Sequence, residues 1–342
     1  MRGWTHLSLP GGVCPSRPVK AILRILYLNS PLYDFLTATV IEGLLQLRHE
    51  RGVELVVASH SNYAPRSIVW SPERILGDLA SFDWIFLGTN EGVNLKLFEK
   101  LDRPERSVCV DGSDESAYTH SPDDFRVYFK RELPIAMTPP ENVLPCPFAV
   151  EHRWWTEGEP IRDIFFSAVF DPTTGQRGEL LEELKTLEGE GIELGGIRAS
   201  VWTSLNGVLR GQCSFRTWLT RRFAVGHNRA YHARLESSQL SLSMPGEGWD
   251  TGRFWEILGS GAGLVSPPPT IRMPHPFSES EHFIGFEDFK SLRAALEGAR
   301  MDPSATVAMR RRARQHVLAH HTTKERARYV LDALTCWRGG QD

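Results

Sequence analysis

The chain has 342 residues, room for two α/β cores of about 150 residues each, and its 41% hydrophobic and 24% charged residues are those of an ordinary soluble protein. A formal net charge of -3 offers no general surface for polyanions, so nucleic acid is set aside as a principal partner. The five cysteines are scattered without a C-x-x-C pair, which argues against a zinc site or disulfide framework and suits a reducing cytoplasm, and no run approaches the ~20 apolar residues of a membrane span.

Residues 1–20 contain Gly, Pro and Ser without a secretory-type apolar core and read as a loose leader. Strand and helix signals then alternate, the pattern of parallel α/β sheets. Ala21–Leu28 is a buried strand, Phe35–Arg51 a helix ending at Gly52, and Val53–Ala58 a second strand. Ser71-Pro72-Glu73 opens a helix with a cap, a first-turn proline and a first-turn acid. Trp84–Leu87 and Ser107–Val110 are strands around a helix near Val93–Leu101. Leu133–Pro160 carries six prolines, the composition of a linker or of edge strands. A second series follows: strand Asp163–Phe170, helix Gly178–Glu190, weak strand Gly191–Gly195 and a helix near Arg229–Ser237. After the central segment come a short strand at Phe283–Phe286, helices at Phe289–Arg300 and Pro303–Ala319, and a closing helix opened by Thr322-Thr323-Lys324-Glu325, a capping box.

The most informative stretch is Ser237–Ser266. Gln239–Met244 alternates as a strand, Pro245–Gly252 is a glycine-rich turn, and Asp250 or Thr251 caps a short helix through Trp255 to Ser260, which Gly261 and Gly263 end. A helix start reached through Gly246, Gly248 and Gly252 presents unpaired amides and the positive end of the dipole to an anion, as a diphosphate requires. Arg253 in the first turn suits bidentate phosphate contact, and Glu256 over the same face suits ribose hydroxyls.

These residues resemble the donor-binding core of GT-B glycosyltransferases, especially the spore-maturation-type group whose C-terminal domain is of the glycosyltransferase family 1 kind. In that group a Tyr-containing helix leads to a strand, a glycine/aspartate turn, an Arg-x-x-Glu helix and a Gly-x-Gly-like break. Tyr231, Leu240–Met244, Gly248–Asp250, Arg253 with Glu256, and Gly261–Gly263 occupy those places. Many retaining members carry two glutamates around this turn, and here Glu247 and Glu256 stand nine apart, one more than in the family, so Glu256 is the residue carried over.

The resemblance implies two Rossmann-like domains facing across a cleft: residues 21–150 holding the acceptor, and residues 151–342 holding the nucleotide sugar, with the last helix packing back on the first domain. It implies transfer of a sugar from a nucleoside diphosphate sugar to an acceptor hydroxyl on a glycan, lipid-linked glycan, protein or small molecule. The place of action is the cytoplasm or the inner membrane face. No cofactor or metal is expected. A sugar-nucleotide epimerase of the same fold and a non-catalytic sugar-nucleotide-binding protein are the alternatives.

Further candidates follow from their loops. Arg177, after the Asp171–Gln176 loop, is placed to reach donor phosphates, while Lys130 and Arg131 before the proline-rich stretch, with His227 and Tyr231, are candidates to line the cleft. Asp111 or Glu91, in loops at the carboxyl ends of strands, supplies a base if the enzyme inverts configuration. Asp111-Gly112-Ser113-Asp114 also has the acidic pattern that holds a metal in the other major glycosyltransferase fold, but that reading leaves the Gly246–Glu256 turn unexplained. His227 and His232 stand five apart, off a common helical face, and Arg310-Arg311-Arg312 reads as a solvated helix face with phosphate contact as the alternative.

Overall fold

The structure, a computed structural model, describes residues 22–29, 34–61, 63–88, 97–99, 103–170, 177–187, 191–196 and 231–338. The described residues fall into two compact units, one within Met1–Glu151, Thr270–Pro276 and Ala319–Asp342, the other within His152–Pro269 and Phe277–Leu318.

The first unit is built on six parallel strands, β1 (Leu23–Leu28), β2 (Val53–Val57), β3 (Trp84–Gly88), β4 (Ser107–Asp111), β5 (Val127–Lys130) and β6 (Val143–Pro145), in the order β2-β1-β3-β4-β5-β6. Sequences such as LRILYL and WIFLG are apolar almost throughout because a parallel sheet is covered on both faces. Helix α1 (Phe35–Leu47) starts at Asp34, whose Oδ1 accepts from the amides of Leu36 at 3.0 Å and Thr37 at 3.4 Å. Helix α2 (Pro72–Gly77) begins at the expected Ser71 cap, which accepts from the Arg74 amide. Within the proline-rich stretch, β6 is the sheet's edge strand, so that stretch is folded structure over its first half and not a free linker.

The second unit repeats the plan with β7 (Ile164–Phe170), β8 (Ile192–Gly196), β9 (Ser238–Leu242), β10 (Gly263–Ser266) and β11 (Phe283–Gly285), all parallel, in the order β11-β10-β9-β7-β8. Its helices are α3 (Arg177–Leu184), α4 (Gly252–Ser260), α5 (Phe289–Met301) and most of α6 (Pro303–His320), with a further helical stretch at 231–237. Each sheet places its second strand on one side of its first and its third on the other. Strand order therefore reverses between β1 and β3 in the first unit and between β7 and β9 in the second, and ligands of open α/β sheets collect at the carboxyl ends of such strand pairs.

The closing helix α7 (Thr323–Arg338) belongs to the first unit. Thr322 Oγ1 accepts from the Glu325 amide at 3.2 Å, the cap that the sequence shows. Helix α7 lies against α1 so closely at Gly43 that a Cβ there would collide with the Thr323 carbonyl oxygen and stand 2.6 Å from Ala327 Cβ. Gly43→Ala is therefore expected to destabilise the first unit by about 1–3 kcal/mol despite alanine's better helix propensity, because the obstacle is backbone. Urea denaturation of the variant measures it, and an unchanged midpoint counts against this packing. Among the described residues, no helix is long and apolar enough to cross a membrane.

Candidate nucleotide-binding site

Strand β9 delivers the chain to the carboxyl edge of the second sheet, and residues 243–251 turn it into α4. The helix starts at Thr251, in extended conformation, whose side chain makes no cap bond and meets Ser243 Oγ at 3.3 Å instead. The first-turn amides of Gly252 and Arg253 accordingly have no protein acceptor among the described residues. Two N–H groups without an acceptor among the described residues thus stand at the positive end of a nine-residue helix, the arrangement that favours an anion. At the other end, Gly261 adopts φ +72°, the left-handed cap that glycine takes without strain.

Three side chains stand together at this entrance. Tyr231, from the helical stretch before β9, donates its hydroxyl to Glu256 Oε2 at 2.9 Å, and the Arg253 guanidinium lies over the Tyr231 ring, 5.0 Å from its centroid. Burial pushes the Tyr231 phenol well above its usual value, with the charge of Arg253 opposing and the Glu256 carboxylate adding, so the hydroxyl remains a donor at neutral pH. Trp154 packs edge-on against Tyr231, with ring centroids 5.9 Å apart. The ring thus holds Arg253 by cation–π contact and Glu256 by a hydrogen bond, and fixes a cation and a carboxylate beside the free amides.

The rest of the turn divides into exposed and buried residues. Glu247 is exposed, and Gly248, Thr251 and Gly252 are partly so. The Gly246 amide donates to the Gly248 carbonyl at 2.9 Å, so it serves the turn and not an anion. Asp250, a candidate cap of the helix in the turn that the sequence assigns to the donor site, is 2% exposed and accepts from Trp255 Nε1 at 2.6 Å. It anchors the turn to an aromatic core in which Phe254 meets Trp249, Trp255 and Phe277 at 5.1, 5.1 and 5.4 Å.

The first unit corrects three expectations. Asp111 and Lys130 are both fully buried and ion-paired at 3.0 Å, with Lys130 Nζ also donating to Ser113 Oγ at 2.7 Å. Asp111 Oδ2 further accepts from Tyr128 OH at 2.6 Å and the Thr119 amide at 3.1 Å, and Oδ1 accepts from the Ser113 amide at 3.0 Å. Burial pushes the Asp111 carboxyl up, but Lys130 and these donors outweigh it and hold the group below the usual carboxylate range. A carboxylate so engaged and desolvated is a poor proton acceptor, so the geometry gives Asp111 a structural role in place of base. Lys130 points into this network and not toward a ligand. Arg131 is 4% exposed, pairs with Asp114 and Glu132, and lies over the Phe148 ring at 4.6 Å. Short polar side chains at a strand's end concealed this pairing, since alternation alone does not show that Asp111 and Lys130 are neighbours across β4 and β5.

Glu91 and His227 lie outside the described residues, as does the Asp171–Gln176 loop; Arg177 is the first residue of α3, and its side chain is outside the description. Ser243, buried beside Thr251, has no local signal in the sequence, whereas Asn29 and Asp34 bound the loop after β1, at the other strand-order reversal, where the sequence places one of the loops suited to an acceptor. Asn29 is fully buried, donating to the Ser59 carbonyl at 2.9 Å and accepting from the Ser59 amide at 3.0 Å. Among the described residues, no group of three metal-ligating side chains converges.

With this geometry in hand, comparison with known proteins is specific about the fold. Residues 177–332 match the family model Glyco_trans_1_2, described as glycosyl transferase-like. No curated protein matches. Among solved structures, HepE of Anabaena in complex with UDP is similar at 11% identity and TM-score 0.54, covering 92% of this chain and 100% of its own. An alpha-glucosyltransferase in complex with UDP and a DNA 13-mer is similar at 11% identity and TM-score 0.58, covering 92% and 100%. A candidate UDP-N-acetylglucosamine 2-epimerase of Listeria monocytogenes reaches TM-score 0.50 at 11% identity, covering 94% and 98%. The chain thus has the α/β fold of these proteins and resembles the GT-B glycosyltransferases, its residues 177–332 matching the glycosyl transferase-like family.

Proposed function

We propose that this protein transfers a sugar from a nucleoside diphosphate sugar to an acceptor hydroxyl, with the donor held at the entrance to α4. The observation that carries the reading is the Tyr231–Glu256–Arg253 cluster beside the two unengaged amides of Gly252 and Arg253, at the strand-order reversal of the second sheet. The diphosphate accepts from those amides and from Arg253, and Glu256 accepts from ribose hydroxyls. Leaving-group charge is then stabilised by groups that are already oriented, the commonest large contribution to such catalysis. In this reading the acceptor is held by the first unit, and Arg177 is a second phosphate contact.

UDP is the first nucleotide to test, because HepE and the alpha-glucosyltransferase were crystallised with it. Thermal unfolding with UDP, GDP, dTDP and CMP, and with their sugars, is expected to show one nucleotide raising Tm by mass action. A flat response across the panel overturns the proposal. The likeness to the candidate epimerase keeps a second reading in play, and incubation with the donor sugar nucleotide alone separates the two. An epimerase changes the sugar without acceptor, whereas a transferase leaves it intact apart from slow hydrolysis.

A further inference from the structure

The second sheet has a recess at its opposite, amino-terminal edge, beside Gly261 and ahead of β7 and β10. It is shallow and partly open to solvent, and four of the side chains lining it are guanidinium groups: Arg162, Arg310, Arg311 and Arg314. The acid lining it is Glu159, which is 67% exposed and 3.7 Å from Arg310 Nη2. Gly261 lets the cations converge, since a Cβ there would stand 3.0 Å from Arg162 Nη2 and 3.2 Å from Arg314 Nη1.

Part of this charge has a structural use. Arg162 donates through Nη1 to the carbonyls of Leu235, Glu236 and Ser238 and through Nη2 to that of Ser260; Arg310 Nε donates to the Gly261 carbonyl at 3.0 Å; Arg314 Nη2 donates to the Thr156 carbonyl at 2.6 Å and its guanidinium lies over Trp155. The bonds to Ser260 and Gly261 close the carboxyl end of α4 and the others tie it to the chain around 156 and 235–238, which does not explain the remainder. Arg162 Nε is buried without a partner, and Arg311 is an exposed side chain with neither hydrogen bond nor ion pair among the described residues. Burial, then the neighbouring charge of Arg310, pushes Arg162 down to about 10, and burial also lowers Arg310 and Arg314. Four like charges around one recess outnumber the acids that act on them, Glu159, Glu157 and Glu236, and focus a positive potential that a multivalent anion relieves.

We infer that this recess is a binding site for a phosphoryl oxyanion, on the edge of the second sheet opposite the α4 entrance. Bidentate guanidinium donation fits a tetrahedral dianion, and Arg311 with the free N–H groups of Arg310, Arg314 and Arg162 supplies the donors. A soluble phosphate compound and a phospholipid headgroup present the same chemistry, and the experiment tells them apart.

The protein carrying Arg253→Ala, which weakens phosphate binding at the α4 entrance, is titrated with inorganic phosphate against sodium chloride at matched ionic strength, and is floated with phosphatidylcholine vesicles with and without phosphatidate. The expected result is a phosphate-specific rise in Tm, or phosphatidate-dependent flotation, that persists in R253A and weakens about tenfold in apparent Kd when Arg311→Ala or the Arg310→Gln/Arg311→Gln pair is added. Response to phosphate identifies a soluble ligand; response to phosphatidate vesicles alone identifies a headgroup; either upholds the site. No response in both arms, or a response unaffected by R311A, overturns it. Because Arg311 makes no hydrogen bond or ion pair among the described residues, R311A remains informative if the double variant does not fold.

Discussion

Replacing Lys130 with alanine is expected to destabilise the first unit by about 3–5 kcal/mol, because it leaves the Asp111 carboxylate charged, buried and without its cation. The pair sits where β4 and β5 are in register, with both side chains fully buried, and it also holds Ser113 and Tyr128. Chemical denaturation measures the loss. The double variant Asp111→Asn/Lys130→Met, which removes both charges, is expected to recover most of it, since the cost lies in an unpaired buried charge and not in the missing bond. The pH dependence has a definite sign. In the native protein Asp111 is held below its usual range, so its stabilisation is present above the unfolded value near ~3.9 and is lost as pH falls through the lower folded value. In K130A burial acts with its cation gone, the folded carboxyl rises above the unfolded value, and the deficit shrinks as pH is lowered from 7 toward about 4. A deficit that is small, or that grows on acidification, contradicts the assignment.

This network marks the limit of what the sequence disclosed. Strands and caps were legible wherever one local signal sufficed: LRILYL as a buried strand, Ser71-Pro72 as a helix start, Gly261 as a left-handed stop. The turn into α4 was legible for the same reason, since a strand, glycines and a short amphipathic helix follow one another within thirty residues. Tyr231 and Glu256 are 25 residues apart in the chain, and their bond depends on how β9 and α4 pack together. Asp250 looked like a ligand or cap from its place before the helix, but Trp255 one turn later claims it. Lys130 and Arg131 read as candidates to line a cleft because charged residues are usually accessible, and only the register of β4 with β5 puts Lys130 against Asp111. Arg162 was overlooked after a proline-rich run, because nothing local shows that four backbone carbonyls await its guanidinium.

At the α4 entrance the cation and the carboxylate are expected to fail differently. Arg253→Ala removes a charge-assisted donor to the diphosphate, and a loss of about 1.5–3 kcal/mol corresponds to roughly 10- to 150-fold weaker UDP binding and a similar fall in donor kcat/KM. Arg253→Lys is expected to recover only part, because an ammonium offers neither the bidentate fork nor the planar stack on Tyr231. Glu256→Gln should leave affinity for inorganic pyrophosphate near that of the wild type while weakening UDP, since its partner in this reading is the ribose and not the phosphates. Tyr231→Phe keeps the ring under Arg253 but frees Glu256, so a smaller loss of about 0.5–1.5 kcal/mol is expected, of the ribose-dependent kind. Calorimetric titration of the four variants with UDP and with pyrophosphate separates these patterns. Wild-type affinity for both ligands in R253A and E256Q would remove the cluster from the donor site, whereas equal losses for both ligands in E256Q would mean that the carboxylate supports the turn and touches no sugar.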